Sequence, residues 1–311
     1  MDRGTSLVQV RPTTICVLSC IFCSTDAGPN SRSWQADYLV RLEPLLEAVE
    51  EVANFKGGIT EAHVDTVGDP LTYPHLVELV EGLSETAEVV SIQTHGVLLR
   101  EDLVRRLERA GLSRINLSID SMNPERARVI SGSDLYRLEK ILDIARFIAG
   151  ETGIDLLIAP VWIPGVNDED IPRIIEFALK IGAGKRWPPL GIQKYEAHKR
   201  GRRPRGIKPM TWSEFYARLR SWEREYGIKL ILSPEDFGIE PRRSLPTTME
   251  VGEVVTVDVK APGWRVGEML GEARRRAVTL VNASAISPGQ RVRARVLRNR
   301  DNVYVLRPLY S

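Results

Sequence analysis

Short apolar runs alternate with amphipathic helical runs over most of this chain, and that alternation constrains the fold more than any other feature. The apolar runs predict strands at 7–10, 61–66, 89–93, 114–119, 155–161, 190–195 and 229–232. A period near 3.6 predicts helices at 38–53, 74–83, 101–110, 135–152 and 170–181. Strands separated by helices are typical of βαβ units in a parallel sheet. We therefore expect an α/β fold. Six repeats without a Gly-rich dinucleotide loop favour a partial (β/α)6 barrel of the TIM type, with its chemistry at the C-terminal ends of the strands.

The pattern changes near residue 245, where Val begins to alternate with polar residues in short runs such as VTVDVK and RVRARV. Pro-Gly and Asn turns separate these runs, which predicts a small antiparallel β-barrel. We expect a first domain at 1–245 and a basic barrel domain at 246–311. From Met249 onward there are eleven Lys or Arg against six acidic residues, although the whole chain carries a formal charge of only +2. This concentration of positive charge indicates an anionic partner for the second domain.

The composition is ordinary for a globular protein, with 43% hydrophobic and 27% charged residues. No run approaches the roughly eighteen apolar residues that a membrane span needs. The first ten residues lack the apolar segment of a signal peptide. We expect a cytoplasmic protein with no membrane partner, in a compartment where thiols stay reduced.

The three cysteines of the chain, Cys16, Cys20 and Cys23, all fall within eight positions. Thiolates at such short spacing can bind one metal centre together. Zinc usually takes a fourth protein ligand, and none of the four histidines stands at a zinc-site spacing from the cysteines. A [4Fe–4S] cluster suits the trio better, because three thiolates leave one iron open for a non-protein ligand.

The spacing Cys16-x3-Cys20-x2-Cys23, placed after the first predicted strand and with Phe22 before the last cysteine, resembles the motif of the radical S-adenosylmethionine (radical SAM) superfamily. The resemblance implies that the open iron binds SAM. It also implies that the reduced cluster, supplied with an electron by an external donor, cleaves SAM. The resulting 5′-deoxyadenosyl radical abstracts hydrogen from a substrate.

Further loops resemble the superfamily in the expected order along the chain. The stretch TVGDPL after the second strand is similar to a Gly-Gly-Glu-Pro loop, with Val67 and Asp69 departing from that pattern. Gly68, Asp69 and Pro70 would then meet the methionyl part of SAM. The other residues that the resemblance places at SAM are Phe22, Thr94, His95, Ser118, Asp120 and Gln193.

One cluster uses every cysteine of the chain, so no thiol remains for a second cluster or for a methylated cysteine. Direct radical chemistry remains, such as methylation of an unactivated carbon with a second SAM molecule. The side chain of a threonylcarbamoyl-adenosine is one target that would fit this chemistry.

The second domain resembles a TRAM domain, a small OB-like barrel that delivers RNA, often tRNA, to modifying enzymes. Arg residues at alternate strand positions would line one face and neutralise phosphates. A second basic stretch, 194–209, follows the sixth predicted strand and should emerge at the catalytic rim. The residues we expect to contact RNA are Lys199, Arg200, Arg202, Arg203, Arg205, Arg274, Arg275, Arg276, Arg291, Arg293 and Arg295.

The favoured hypothesis is a radical SAM enzyme that modifies RNA, with tRNA as the expected substrate class. A first alternative is a radical SAM enzyme acting on a peptide or a phosphorylated metabolite. A second is a non-enzymatic RNA-binding protein with an iron–sulfur cluster. The sequence leaves the modified atom, the transferred group, the identity of the reductant and the oligomeric state open.

Overall fold

The computed structural model describes residues 4–309, so the outer ends of the two expected domain ranges, 1–3 and 310–311, lie outside it. Five parallel strands form one sheet in consecutive order: β1 (Leu7–Val10), β2 (Ile59–Val64), β3 (Ala87–Thr94), β4 (Arg114–Leu117) and β5 (Asp155–Ile158). Beyond β5, the short strand β6 (Val161–Trp162) pairs in parallel with β7 (Gln193–Lys194), and Leu190 bridges to Ile158. The sixth predicted run thus extends the sheet. The partial β/α barrel is confirmed.

Helices follow most strands and cover the outer face of this sheet. They are α1 (Leu42–Lys56), α2 (Leu76–Ser84), α3 (Glu101–Arg109), α4 (Pro124–Ser131), α5 (Leu138–Glu151), α6 (Asp170–Lys180) and α7 (Trp212–Tyr226). Sequence periodicity missed α4 and α7, although both begin with clear caps. Asn123 accepts a hydrogen bond from the Arg126 amide before α4, and Thr211 forms a capping box with Glu214 before α7.

The prediction of a strand at 229–232 is wrong. The backbone amides of Leu230 and Ile231 donate to the carboxylate of Glu223, at 2.8 and 2.9 Å, and not to a neighbouring strand. Leu230 is buried all the same. An apolar run predicts burial here but not the partner of its backbone groups.

The second domain is a closed barrel of five strands: β8 (Val254–Pro262), β9 (Met269–Ala273), β10 (Arg276–Leu280), β11 (Arg291–Arg298) and β12 (Tyr304–Pro308). Their order around the barrel is β10-β12-β11-β8-β9. Four neighbouring pairs are antiparallel, and the pair β10–β12 is parallel. The expectation of an antiparallel barrel is therefore corrected in one pair, because an odd number of strands cannot alternate in direction all the way around a closed barrel.

The two domains have separate hydrophobic cores and meet at the loop between β8 and β9. Gln35 of the first domain donates from Nε2 to the carbonyl oxygens of Gly263 and Glu268, at 2.9 Å each. The amide of Val266 donates to the Ser33 carbonyl at 2.8 Å. The barrel is thus hydrogen-bonded to the segment that directly follows the cysteines.

Within residues 4–309, no helix is long and apolar enough to cross a membrane.

Candidate active site

The three cysteines lie in the loop after β1, at the C-terminal edge of the parallel sheet. They line one cavity of about 170 Å³. The expected SAM residues that line the same cavity are Phe22, Gly68, Asp69, Thr94, His95 and Ser118. The C-terminal ends of parallel strands meet at one edge, so loops distant in sequence converge there.

Backbone hydrogen bonds from α4 fix the conformation of the cysteine loop. The amides of Ser19 and Ile21 donate to the carbonyl oxygens of Ser131 and Ile130, at 3.0 and 2.9 Å. Arg202 holds the loop from the other side. Its Nε donates to the Cys20 carbonyl at 2.8 Å, and its guanidinium also donates to the Ala27 carbonyl. The cysteines are therefore positioned by segments more than a hundred residues downstream.

The loop after β2 lies directly against the cysteine loop at Gly68. A Cβ atom on Gly68 would stand 1.9 Å from the carbonyl oxygen of Ile15, so only glycine permits this approach. The next amide, that of Asp69, donates to the same carbonyl at 2.8 Å. A close-packed glycine thus brings the Asp69 carboxylate to the cavity.

The carboxylate of Asp69 is buried and held in place by hydrogen bonds from neighbouring residues. It accepts hydrogen bonds from the Thr94 hydroxyl at 2.9 Å, the His95 amide at 3.2 Å and the Leu71 amide at 3.0 Å. This network joins the loops after β2 and β3. It presents one negative charge to the cavity, where the shorter Asp replaces the Glu of the superfamily pattern.

The thiols are surrounded by hydrogen-bond donors suited to sulfur ligands. The Sγ of Cys20 lies 3.1 Å from Nε2 of His95, and the Ala27 amide donates to the Sγ of Cys23 at 3.4 Å. Burial raises the pKa of the Cys16 thiol to about 12 and that of Cys20 well above its ordinary value. Bare thiolates are therefore unfavourable here, and a bound cationic group would stabilise them.

Among the residues that the structure describes, no three His, Cys, Asp or Glu side chains lie close enough together to hold a single metal ion. The three thiols share a cavity instead, which suits a group with several metal atoms, each bound by one thiolate. The thiols lie beside the imidazole of His95 and the hydroxyl of Thr25, and iron–sulfur clusters take thiolate ligands. The donor set therefore fits a [4Fe–4S] cluster with one open iron.

Three of the expected SAM residues lie outside the lining of this cavity. Asp120 is buried beside it, where its Oδ1 accepts from the Val161 amide at 2.8 Å; burial raises its pKa. Pro70 is buried in the turn after Asp69. Gln193 does not line this cavity, and its contact with SAM stays a prediction. Its side chain is exposed on the face of β7 opposite Lys194, whose ammonium group lies over the ring of Trp212 in α7.

Sequence reasoning missed Thr25, Asp65 and Gln93, which also line the cavity. Gln93 donates from Nε2 to the Ser118 hydroxyl at 2.9 Å, so it joins the loops after β3 and β4. Its position one residue before Thr94, near the end of a predicted strand, is the sequence feature that could have indicated a place in the cavity. The hydroxyl of Thr25 lies 3.3 Å from the Sγ of Cys23 and donates to the Val67 carbonyl at 3.0 Å.

The basic residues expected to contact RNA fall into two groups. Lys199, Arg203 and Arg205 are exposed on the loop after β7. Arg202 is directed inward as described above, with 18% of its side chain exposed, which gives it a positioning contact where we expected an RNA contact. Arg200 forms an ion pair with Glu268 of the barrel.

On the barrel, the alternation predicted for β11 is present. Arg291, Arg293 and Arg295 are exposed on one face, with Ala294 buried between them. Arg291 pairs with Asp258 at 3.1 Å, whereas Arg293 has no ion-pair partner among residues 4–309.

Arg274 and Arg275 form the turn between β9 and β10, and Arg276 begins β10. Arg274 pairs with Glu253, and Arg275 is exposed at the tip of the turn. The barrel therefore carries a row of arginines on β11 and a second group at this hairpin.

A three-cysteine loop at the C-terminal edge of a partial β/α barrel defines the class of iron–sulfur enzymes that work with SAM. Residues 10–178 match the Radical SAM superfamily, and the chain belongs to that superfamily. Its cofactors are therefore a [4Fe–4S] cluster, which Cys16, Cys20 and Cys23 would hold, and SAM. When bound, they supply a carbon-centred radical able to abstract hydrogen. Membership of an enzyme superfamily also removes the non-enzymatic alternative.

Known relatives agree with this assignment. The chain is 40% identical to the uncharacterized protein MJ0103 of Methanocaldococcus jannaschii, over 98% of this chain and 76% of that one. It is 30% identical to a probable GTP 3′,8-cyclase of the same organism, over 57% of this chain and 56% of that protein. The chain thus spans little more than half the length of that cyclase.

A solved structure shows the same fold at low sequence identity. The crystal structure of Streptococcus suis SuiB bound to S-adenosylmethionine has a TM-score of 0.58 and 17% identity, and the match covers 71% of this chain and 47% of that one.

Proposed function

We propose that this radical SAM enzyme modifies RNA, with tRNA as the substrate class, at a carbon that has no acidic hydrogen. The observation that carries the proposal is the position of the basic barrel. Its β8–β9 loop contacts Thr25, a residue of the cysteine cavity, through a hydrogen bond from Arg265 Nη2 to the Thr25 carbonyl at 3.0 Å. RNA held on the barrel would therefore lie next to the site of the radical chemistry.

The strand order supports an OB-like identity for this barrel. Counted along the domain, its five strands close in the order 1-2-3-5-4, with the third and fifth parallel. OB folds are five-stranded Greek-key barrels that bind oligonucleotides with one strand face and with the loops between strands 1 and 2 and between strands 4 and 5. In this chain the first of those loops is the segment in contact with the cysteine loop.

Charge supports RNA over a neutral partner. Arg295 and Arg307 face each other directly across the β11–β12 pair, and both are exposed. Like charges opposite each other destabilise a sheet, so a nearby polyanion would relieve the repulsion. Together with Arg293 they form a cationic strip across two strands that suits a phosphate backbone.

The chemistry we propose begins with abstraction of a hydrogen atom from an aliphatic carbon of a nucleoside. A methyl group from a second SAM molecule is then transferred to that carbon, or the carbon skeleton rearranges. All cysteines are used by one cluster, and we propose that an external protein or small molecule supplies the electron. The alkyl side chain of a threonylcarbamoyl-adenosine is one target of this class. In this proposal Asp69 and Thr94 orient SAM.

The test is mass spectrometry of nucleosides from the tRNA of a strain that lacks the gene, compared with its parent. The proposal predicts that one modified nucleoside disappears and that its precursor accumulates. The precursor is lighter if a methyl group is transferred, and it has the same mass but a different retention time if the carbon skeleton is rearranged. Reintroducing the wild-type gene should restore the nucleoside, whereas Cys20→Ala should not. An unchanged tRNA profile would contradict the tRNA proposal.

A nucleotide metabolite is the second candidate, because relatives at about 30% identity are named as GTP 3′,8-cyclases. A phosphorylated nucleotide would also use arginines near the cavity. Incubation of the loaded enzyme with nucleoside triphosphates and SAM, followed by mass spectrometry of small products, separates the two candidates. Product formation without RNA would favour the metabolite.

A further inference from the structure

A crevice of about 440 Å³ lies where the barrel meets the first domain, beside the cysteine cavity. The first domain contributes Ser33 and Arg200 to its lining. The barrel contributes Arg265 and Glu268 from the β8–β9 loop and Asn282 and Ser284 from the loop after β10. The crevice exists only because the two domains are docked, so neither domain forms it alone.

This crevice and the cysteine cavity lie on opposite sides of Thr25. Arg265 lines the crevice and donates to the Thr25 carbonyl at 3.0 Å, while Thr25 lines the cavity on the other side. The Thr25 hydroxyl is itself 3.3 Å from the Sγ of Cys23. A ligand in the crevice would therefore lie next to the cysteine cavity, with Thr25 between them.

The charge of the crevice is positive. Arg265 donates to two carbonyl oxygens, those of Thr25 and Arg200, and has no carboxylate within 4.0 Å in the part of the chain described. Its charge is thus not neutralised by an ion pair. Glu268, the acidic residue in the lining, is buried and paired with Arg200. Hydroxyl groups of Ser33 and Ser284 add neutral hydrogen-bonding groups.

We propose that this crevice binds a backbone phosphate of the RNA, adjacent to the nucleotide whose base or side chain enters the cysteine cavity. The inference rests on the proposed RNA function and specifies where the strand passes. Enzymes that act on a base take it out of the stack, which leaves the neighbouring phosphates to be held by the protein. An arginine with an unpaired charge, a second arginine and nearby hydroxyls are the groups that hold phosphates in protein–nucleic acid complexes.

Substitution of Glu268 tests the proposal, because the loss of its charge is expected to strengthen RNA binding. A carboxylate beside a phosphate repels it, so Glu268→Gln removes that repulsion and frees Arg200. Tighter RNA binding is expected. If the Arg200–Glu268 pair only joins the two domains, the same change weakens or does not alter RNA binding.

The experiment measures the affinity of the cluster-loaded full chain for total tRNA by fluorescence anisotropy at several salt concentrations. Arg265→Gln should weaken binding about tenfold and reduce the salt slope by about one counterion. Arg265→Lys should keep most of the affinity, and Glu268→Gln should strengthen binding about threefold or more. Arg106→Gln, an exposed arginine of α3, is the matched control and should change little.

The outcomes separate this inference from the proposed function. If the wild-type chain binds tRNA and Arg293→Gln weakens it, while Arg265→Gln stays within about twofold of wild type, the crevice is not a phosphate site and the function stands. Weaker or unchanged binding by Glu268→Gln also overturns the crevice. If the wild-type chain shows no salt-dependent tRNA binding, both proposals fail. Circular dichroism and iron content identify any variant that has not folded. If Arg265→Gln does not fold, the RNA affinity of Glu268→Gln decides whether the crevice binds phosphate.

Discussion

Replacing Gly68 with alanine tests how tightly the SAM loop and the cysteine loop are packed. A Cβ at residue 68 would lie 1.9 Å from the carbonyl oxygen of Ile15 and 2.3 Å from its carbonyl carbon. Both atoms belong to the backbone, so no side-chain rotation can relieve the contact. Gly68 is not among the glycines with positive φ, so the effect of the methyl group is steric and not conformational. The two loops must move apart.

The size of the effect follows from these contacts. Overpacking of a tight site costs about 1–3 kcal/mol, and more when the obstructing atoms cannot move. Separation of the loops also weakens the hydrogen bond from the Asp69 amide to Ile15, worth about 1 kcal/mol net. A destabilisation of about 2–4 kcal/mol corresponds to a fall in Tm of roughly 4–16 °C for a domain of this size. Asp69 moves with the loop, so SAM binding should weaken as well.

Thermal unfolding by circular dichroism and equilibrium binding of SAM check this prediction. Gly150→Ala is the matched control, because Gly150 lies in α5 and a Cβ there meets nothing within 4 Å. Alanine favours a helix over glycine by about 1 kcal/mol, so the control should keep or slightly raise the Tm. A Gly68→Ala variant with the Tm and SAM affinity of wild type would refute the steric reasoning.

Four further predictions follow from the site and the barrel. Arg202→Ala should speed loss of iron to a chelator, because it removes charged hydrogen bonds to the cysteine loop worth about 1.5–3 kcal/mol each. His95→Ala should lower the reduction potential of the cluster, measured by redox titration with electron paramagnetic resonance, since it removes a donor 3.1 Å from the Cys20 sulfur; an unchanged potential would contradict this. Arg275→Gly should stabilise the barrel by about 1 kcal/mol in denaturant unfolding, because Arg275 has a φ of 59°. Burial alone would raise the pKa of Asp26, but the hydrogen bonds that its carboxylate accepts lower it overall. The contribution of Asp26 to the free energy of unfolding is therefore present above the usual carboxyl pKa and is lost as the pH falls through the lowered pKa of the folded state. Asp26→Asn should abolish this part of the pH dependence of stability.

Local chemistry made part of the site predictable from the sequence. The spacing of Cys16, Cys20 and Cys23 depends only on chain geometry, because three thiolates a few residues apart reach one cluster in almost any loop. The resemblance of their loops to those of the superfamily placed Thr94 and Ser118 at the catalytic edge, where the C-terminal ends of the strands meet.

The direction of other side chains could not be predicted, because it depends on contacts between distant segments. The charge pattern of the 194–209 stretch is the same whether its arginines face RNA or the protein. Only the packed structure directs Arg202 onto the carbonyl oxygens of the cysteine loop. The face of β7 that carries Gln193 is likewise set by the pairing of β7 with β6, which places Lys194 beside Trp162.

What the sequence determined by itself was the cofactor chemistry, the β/α repeat and the concentration of positive charge in the second domain. These depend on residue types and their spacing, which the chain carries in any conformation. What only the tertiary structure decided was the relation between the two domains. The contact of Arg265 with Thr25 joins residues 240 positions apart, and the closure of the barrel requires one parallel pair. Such contacts follow from the way whole surfaces pack, and no local pattern of residues encodes them.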